Sequence, residues 1–183
     1  MIDMQVKEPL REIELKSSIK SIKVISDDIS KKVKNQYEEN PYPRWRFGNN
    51  NTSANFLFYL NNDIKPNGIE FNNKFIKPNV LIAGCGTGQQ IINAIGYQNS
   101  NIVAVDLSFA SLAYAKRKIE ELGHKNVEFL QGDILNLNIL NKKFDIIECA
   151  GVLHHMREPL EGLKVLLNLL QPHGFLKLSL YSD

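Results

Sequence analysis

A glycine-rich turn directly after a short apolar run is the feature of this sequence that most constrains its fold. The run spans residues 80–83, the turn at 84–88 reads GCGTG, and a helix-like stretch begins at Gln89. A continuous apolar run of this length is typical of a strand buried on both faces of a parallel sheet. Glycine allows a sharp turn and a close approach of the backbone to a ligand. The pattern predicts a strand, a ligand-binding turn and a helix, with a tight turn that binds nothing as the alternative for this motif alone.

Strand-like and helix-like patterns alternate over the rest of the C-terminal part. Ser108 is a predicted N-cap and Gly123 a predicted helix end, while Pro172 and Gly174 are predicted to end the last helix. The alternation predicts a parallel sheet of five recognisable strands, covered by helices on both faces. Besides the strand at 80–83, strands are predicted at 102–105, 127–130, 144–149 and 175–181, and helices at 89–95, 108–122 and 160–170.

The first 75 residues are predicted to be an N-terminal extension that precedes a domain at 76–183. Isoleucines and valines between Ile19 and Val33 recur at helix-like intervals and predict one or two short helices. The segment 36–45, QYEENPYPRW, contains two prolines two positions apart, which exclude a regular helix or a central strand there. Residues 49–53 are predicted to form a polar loop, and a further helix is predicted to begin at 56–60.

The bulk composition excludes several classes of protein. A formal net charge of +2 and a pI near 8.4 are too mild for a nucleic-acid or membrane footprint. No apolar run is long enough to span a bilayer, and the N-terminus lacks the apolar core of a signal peptide. Cys85 and Cys149 lie far apart without a CxxC pattern, so neither a disulfide framework nor a zinc site is predicted. We expect a protein of the reducing, cytoplasmic compartment.

An aspartate at the end of the second predicted strand is the next candidate for ligand binding. Asp106 lies about 20 residues beyond the glycines, where nucleotide-binding α/β folds place a carboxylate that binds ribose hydroxyls. Its alternative role is to cap the helix that follows. A dinucleotide fingerprint requires glycine at position 89, which is Gln89 here. An NAD-dependent oxidoreductase is therefore the weaker interpretation.

The G-x-G-x-G spacing resembles motif I of class I S-adenosylmethionine-dependent methyltransferases, of the type 11/12 domain family. The resemblance continues in order through GDI at 132–134, FDII at 144–147, GVLHHM at 151–156 and GFLKL at 174–178, and covers residues about 78 to 181. It implies a Rossmann-like three-layer sandwich with a mainly parallel sheet. It also implies S-adenosylmethionine as the cofactor and methyl transfer to an acceptor that the sequence does not identify.

The same resemblance implies roles for individual residues. The glycines of the turn would shape the pocket for the methionine part, and Asp106 would hold the ribose. In the family, an acid at the position of Asp133 accepts a hydrogen bond from the adenine amino group, whereas a turn-forming Gly-Asp pair is the alternative. The predicted cofactor-binding residues are Gly84, Cys85, Gly86, Gly88, Asp106, Leu107, Asp133 and Ile134.

Candidate catalytic and acceptor-binding residues carry a less specific signal. His154 and His155 follow a strand at the sheet edge where ligands bind, with packing and capping of the loop as the alternative. No third ligand accompanies them, so no metal site is predicted. Segment 36–45 is similar to one in methyltransferase domains of bacterial proteins that also carry tetratricopeptide repeats. Tyr37, Arg44 and Trp45 are therefore candidates for the acceptor surface, and packing on the domain is the alternative.

The sheet of this family has seven strands, of which the last two form an antiparallel hairpin. A count of five strands therefore predicts a domain that lacks its last two strands. We expect residues 175–181 to form an exposed sheet edge that allows self-association, unless the N-terminal extension covers it. The corresponding alternative function is a non-catalytic cofactor-binding remnant or interaction module.

Overall fold

The computed structural model describes residues 2–48, 52–68 and 74–180, and a parallel β-sheet forms its centre. The strands lie in the order β1-β4-β3-β2-β5-β6, and each neighbouring pair is parallel. Part of the predicted polar loop, residues 49–51, and Tyr181 of the predicted last strand lie outside the described residues. The strands are β1 (Lys20–Ser21), β2 (Asn79–Ala83), β3 (Asn101–Asp106), β4 (Val127–Gln131), β5 (Phe144–Ala150) and β6 (Leu170–Ser179).

Helices pack on both faces of this sheet. A π-helical turn at Asp3–Lys7 precedes the first α-helix, and 3₁₀ turns span Ile134–Leu140 and Leu153–His155. The α-helices of the described residues are α1 (Glu8–Ser18), α2 (Asp28–Glu39), α3 (Phe56–Asp63), α4 (Gln89–Ala94), α5 (Phe109–Glu121) and α6 (Pro159–Leu169).

The side chains of β2 alternate between two apolar clusters. Val80 and Ile82 belong to a cluster with α4 and α5, whereas Leu81 and Ala83 belong to a second cluster with α6. All four are fully buried, which explains why the strand is apolar throughout and does not alternate with polar residues. The predicted α/β class, a Rossmann-like three-layer sandwich, is confirmed. So is the N-cap at Ser108, whose hydroxyl accepts from the Ser111 N–H at 3.1 Å.

The N-terminal extension contains the predicted short helices, α1 and α2, and it also contributes a strand to the sheet, which was not predicted. Residues 19–27 are not helical, and β1 pairs with β4 at one edge of the sheet. α2 begins only at residue 28 because the carboxylate of Asp27 caps it, accepting from the Ser30 N–H at 2.8 Å. Ile19 and Ile25 are buried although the chain there is not helical. Their spacing reflected contact with the domain, not a helix period.

The last helix ends at Leu169, within one residue of its predicted end, but β6 follows it directly and begins earlier than the predicted strand. Residues 171–174 bulge out of the ladder between the register pairs Leu170–Phe144 and Phe175–Ile146. The proline and the glycine that were predicted to stop the helix lie in this β-bulge, where ladder hydrogen bonds are not required.

A buried arginine fixes α1 on α5. Arg117, with 5% of its side chain exposed, forms ion pairs with Glu8 at 3.0 Å and Glu12 at 3.1 Å, and a third with Glu121. Burial opposes the charge, but the carboxylates outweigh it and raise the pKa of Arg117. The charge is thus compensated, and loss of either α1 glutamate would leave part of it unpaired.

The β6 edge of the sheet is not where α1 and α2 pack. Among the described residues β6 pairs only with β5, while α1 and α2 pack against α5 on the β4 side. The extension approaches β6 through α3, where Lys177 pairs with Asp63 at 2.5 Å. Self-association through β6 stays a prediction. In the described part of the chain, no helix has the length and apolar character needed to cross a membrane.

Candidate functional site

A cavity of about 640 Å³ opens at the carboxyl ends of the central strands. The strand order reverses at β2, which has β3 on one side and β5 on the other. Ligands of open α/β sheets bind at such a switch point. Nine predicted site residues line the cavity: Gly84, Cys85, Gly86, Asp106, Leu107, Asp133, Ile134, Tyr37 and His155. Four others do not: Gly88, Arg44, Trp45 and His154.

The three glycines of the turn are required for different reasons. All have positive φ angles of 75°, 51° and 90° in chain order. A Cβ on Gly84 would lie 2.4 Å from Val152, and one on Gly88 would lie 2.8 Å from the Cβ of Ala115. A Cβ on Gly86 would meet nothing within 4 Å. Two glycines therefore allow close packing of the turn, and Gly86 keeps space open in the cavity.

The backbone of the turn is anchored to the neighbouring strand. The N–H groups of Gly84 and Cys85 both donate to the carbonyl of Val105, at 2.8 and 2.9 Å. The Cys85 thiol is buried, and burial together with the nearby Asp106 carboxylate raises its pKa well above the ordinary value. Cys85 therefore lines the cavity as a neutral thiol and not as a nucleophile.

Asp106 joins the glycine turn to the start of α5. One carboxylate oxygen accepts from the Gly86 N–H at 2.8 Å, and the other accepts from the Ser108 N–H at 2.9 Å. Burial raises the pKa of Asp106, against the lowering effect of these hydrogen bonds. The helix cap itself is Ser108. Asp106 thus fixes the turn, and its predicted contact with a ribose would use the remaining lone pairs.

Asp133 occupies the corresponding place after β4. Its carboxylate accepts from the Leu135 N–H at 3.0 Å and caps a 3₁₀ turn, while the residue lines the cavity and is 3% exposed. Ile134 follows it in the lining. The structural alternative for Asp133 and its predicted place in the site are therefore compatible.

Of the two candidate histidines, His155 lines the cavity and His154 does not. The centroids of their two rings lie 4.1 Å apart. Burial, together with the charge of His154, lowers the pKa of His155, so its imidazole is neutral at neutral pH. Within residues 2–48, 52–68 and 74–180, no group of three or more His, Cys, Asp or Glu side chains is arranged to hold a metal ion.

Residues 40–48, which we call the strap, run from the end of α2 across the cavity mouth. The indole N–H of Trp45 donates to the Thr87 carbonyl at 2.9 Å, and the Thr87 hydroxyl donates to the Pro43 carbonyl at 2.6 Å. The hydroxyl of Tyr114 donates to the Trp45 carbonyl. Thr87, the residue between the last two glycines, therefore fastens the strap to the turn. The spacing of the glycines gave no signal for this role.

Arg44 and Trp45 hold the strap and do not face the cavity. Arg44 pairs with Glu12 at 2.9 Å, and its guanidinium lies 4.5 Å from the centre of the Tyr114 ring. Trp45 packs edge-on against the same ring at 6.2 Å. These contacts match the packing alternative, and an acceptor role for the two residues stays a prediction. Tyr37 lies two residues before the end of α2 and does line the cavity. The prediction that segment 36–45 excludes a regular helix is thus wrong for residues 36–39, which form the last turn of α2 ahead of both prolines.

Glu38 is a further residue of the site region that sequence reasoning missed. One carboxylate oxygen accepts from the Ser108 hydroxyl at 2.9 Å and the Ala110 N–H at 3.0 Å, and the other pairs with Lys16 at 2.8 Å. Burial would raise the pKa of Glu38, but these contacts outweigh it and lower the pKa. An acid from the extension thus caps α5 beside Asp106.

The known proteins that resemble this chain include methyltransferases and an uncharacterised protein. A family model described as a methyltransferase domain matches residues 77–182. The uncharacterised protein RP028 of Rickettsia prowazekii is 33% identical over 153 residues, covering 80% of this chain and 57% of that protein. Demethylmenaquinone methyltransferase of Lactococcus lactis is 31% identical over 98 residues, covering 52% of this chain and 38% of the enzyme.

A solved structure adds a bound ligand to the comparison. PKMT2 from Rickettsia typhi, determined in complex with AdoHcy, is 35% identical with a TM-score of 0.50. The match covers 55% of this chain and 20% of PKMT2. This chain therefore spans less than two thirds of each of the three proteins, whose full lengths include further material.

Proposed function

We propose that this chain, which belongs to the methyltransferase-domain family, uses S-adenosylmethionine to methylate an acceptor held in the same cavity. The observation that carries the proposal is the convergence of the glycine turn, Asp106 and Asp133 on one cavity at the carboxyl edge of the sheet. S-adenosylmethionine is the cofactor of the family.

The lining of the cavity supports a sulfonium cofactor over a dinucleotide. Among the described lining residues there is no lysine or arginine, although the chain has 22 of them, and Asp106 and Asp133 supply two carboxylates. The negative charge of a pyrophosphate would be repelled by these carboxylates and would find no cationic side chain in the lining. The positive charge of a sulfonium would instead be attracted by them. Gly86 leaves room for a ligand where a Cβ would intrude. The residues present fit S-adenosylmethionine.

The protein contributes position and exclusion of water, because the bound sulfonium supplies an activated methyl group with a neutral leaving group. In the proposed arrangement the glycine turn adjoins the methionine part and Asp106 accepts from the ribose hydroxyls. Asp133 accepts from the adenine amino group, and Ile134 packs beside the base. The strap and α2 close the cavity on the remaining side and limit access of water to the methyl group.

A base is needed only when the acceptor must lose a proton before it attacks. His155 lines the cavity and is neutral at neutral pH, so it is able to accept that proton. His154 does not line the cavity and is assigned to packing of the loop.

Isothermal titration calorimetry with S-adenosylmethionine and S-adenosylhomocysteine tests the proposal, with NAD as the control ligand. Asp106→Ala is expected to weaken binding by about 1–3 kcal/mol, the cost of removing a charged hydrogen-bond acceptor. Asp145→Ala is a matched control, because Asp145 accepts from the Asn79 N–H at 2.8 Å but lies outside the cavity lining. Binding of NAD without either adenosyl ligand would refute the proposal. Binding without transfer to any acceptor would favour a non-catalytic module.

A further inference from the structure

Part of the cavity wall is built by the N-terminal extension, through α2 and the strap. Ser30, Val33 and Tyr37 lie on one face of α2, at helical spacings of three and four, and all line the cavity. The strap adds Tyr42 and Phe47. None of these residues belongs to the motifs that the family resemblance assigns to the cofactor, so this wall is available to a second ligand.

The strap keeps two aromatic rings exposed at the cavity mouth. Tyr42 is 75% exposed and Phe47 is 94% exposed, although both line the cavity. The hydrogen bonds at Pro43 and Trp45 lie between Tyr42 and Phe47 in the chain and both lead to the buried Thr87, so they fix the backbone of the strap between the two rings. Aromatic area held in water beside a cavity is a favourable contact surface for an apolar ligand, and prior fixing lowers the entropy lost on binding.

The charges of the cavity select against an anion. Asp106 and Asp133 are the acidic residues in the described lining, and no lysine or arginine of the described residues opposes them there. A carboxylate or phosphate on the second ligand would lose its hydration without gaining a cationic partner. A cation would meet the positive charge of a bound sulfonium. A neutral ring avoids both penalties.

We propose that α2 and the strap form an acceptor subsite for a neutral, ring-bearing small molecule. The inference rests on the proposed function, since the subsite is defined relative to a bound cofactor. Tyr42 and Phe47 would contact the ring from the mouth of the cavity, and Val33 with Tyr37 would contact it from α2.

Sinefungin provides the first step of the test, because a carbon replaces the sulfur and the ammonium on that carbon, which cannot be transferred, stands in place of the methyl group. Calorimetry with the full chain measures sinefungin binding. Three ring probes of similar size are then titrated into the sinefungin-loaded protein and followed by ligand-observed NMR: benzyl alcohol, benzoate and benzylamine. We expect benzyl alcohol to bind with a dissociation constant on the order of millimolar, and each charged probe to bind at least about tenfold more weakly.

Variants at the strap separate the subsite from the cofactor site. Phe47→Ala is expected to weaken benzyl alcohol binding at least about fivefold and to change the sinefungin dissociation constant less than about twofold. Phe58→Ala is the matched control, because Phe58 is an exposed aromatic of α3 that does not line the cavity. It should change neither constant.

The possible failures are distinguishable. If sinefungin, S-adenosylmethionine and S-adenosylhomocysteine all fail to bind, the proposed function is wrong and the subsite with it. If the cofactor analogue binds but benzoate or benzylamine binds as well as benzyl alcohol, or no probe binds, only the acceptor class is overturned. If Phe47→Ala weakens sinefungin as much as benzyl alcohol, the strap belongs to the cofactor site.

Discussion

Alanine substitutions at three glycines separate the binding role of the glycine turn from its packing role. Gly86 and Gly123 have positive φ angles of 51° and 82°, and an added Cβ at either position would meet nothing within 4 Å. They differ in that Gly86 lines the cavity and Gly123 follows the end of α5 outside it. Gly88 has a φ of 90° and no such space, because its Cβ would lie 2.8 Å from that of Ala115.

The expected magnitudes follow from these geometries. A side chain in the left-handed region costs about 1–2 kcal/mol, so Gly86→Ala and Gly123→Ala should destabilise the fold equally, by that amount. At about 2–4 °C per kcal/mol for a domain of this size, each should lower the melting temperature by about 2–8 °C. Gly88→Ala adds overpacking of about 1–3 kcal/mol, for a total of about 2–5 kcal/mol. Only Gly86→Ala places a methyl group in the cavity, and it should weaken the cofactor at least about tenfold, or about 1.4 kcal/mol.

Thermal melts without ligand and calorimetry with S-adenosylhomocysteine measure the two effects on the same preparations. Gly86→Ala and Gly123→Ala should melt at the same temperature, while only Gly86→Ala should lose affinity for the ligand. Equal dissociation constants for these two variants would show that the space at Gly86 is not part of the ligand site. A Gly88→Ala protein as stable as Gly123→Ala would show that α5 can move away from the turn.

Two carboxylates outside the cavity lining give predictions of opposite sign. Glu38 has a lowered pKa, so its stabilising contribution is present above its unfolded value of about 4.3 and is lost as the pH falls through the folded pKa. Glu38→Gln should therefore lower the free energy of unfolding by about 1–2 kcal/mol at pH 7, a value discounted for the partial exposure of the side chain, and by much less at pH 3. Equal urea midpoints for the variant and the unmodified protein at pH 7 would contradict this. Glu148 is buried and accepts from the Tyr97 hydroxyl at 2.5 Å; burial raises its pKa, so stability should fall as the pH rises above about 4.3 towards the folded pKa. Glu148→Gln keeps a hydrogen-bond acceptor for Tyr97 and should remove this loss of stability with rising pH. Urea unfolding between pH 4 and 8 measures the loss, and the same pH profile in the variant would show that Glu148 does not cause it.

The central fold could be predicted from the sequence because its determinants are local. An apolar run followed by G-x-G-x-G specifies a buried strand and a turn, and the hydroxyl at Ser108 specifies a helix start. The carboxylates of Asp106 and Asp133 follow strands whose ends meet at one edge of the sheet, so their convergence on the cavity follows from the fold class.

The N-terminal extension could not be predicted in the same way, because tertiary contacts determine its structure. β1 has only two residues and becomes a strand through its pairing with β4. Arg44 and Trp45 carry no sequence signal that distinguishes a ligand-binding side chain from one that fixes the strap. Their partners, Glu12 and Thr87, lie 32 and 42 positions away in the chain.

Thr87 connects the glycine turn to the strap. Its neighbours in the chain are two of the three glycines of the turn, and its hydroxyl and carbonyl hold the strap. A ligand at the turn and a ligand at the strap would therefore act on two sides of one residue, and any free-energy coupling between them is reciprocal. Such coupling needs no moving domain, because it runs through the two hydrogen bonds of a single threonine.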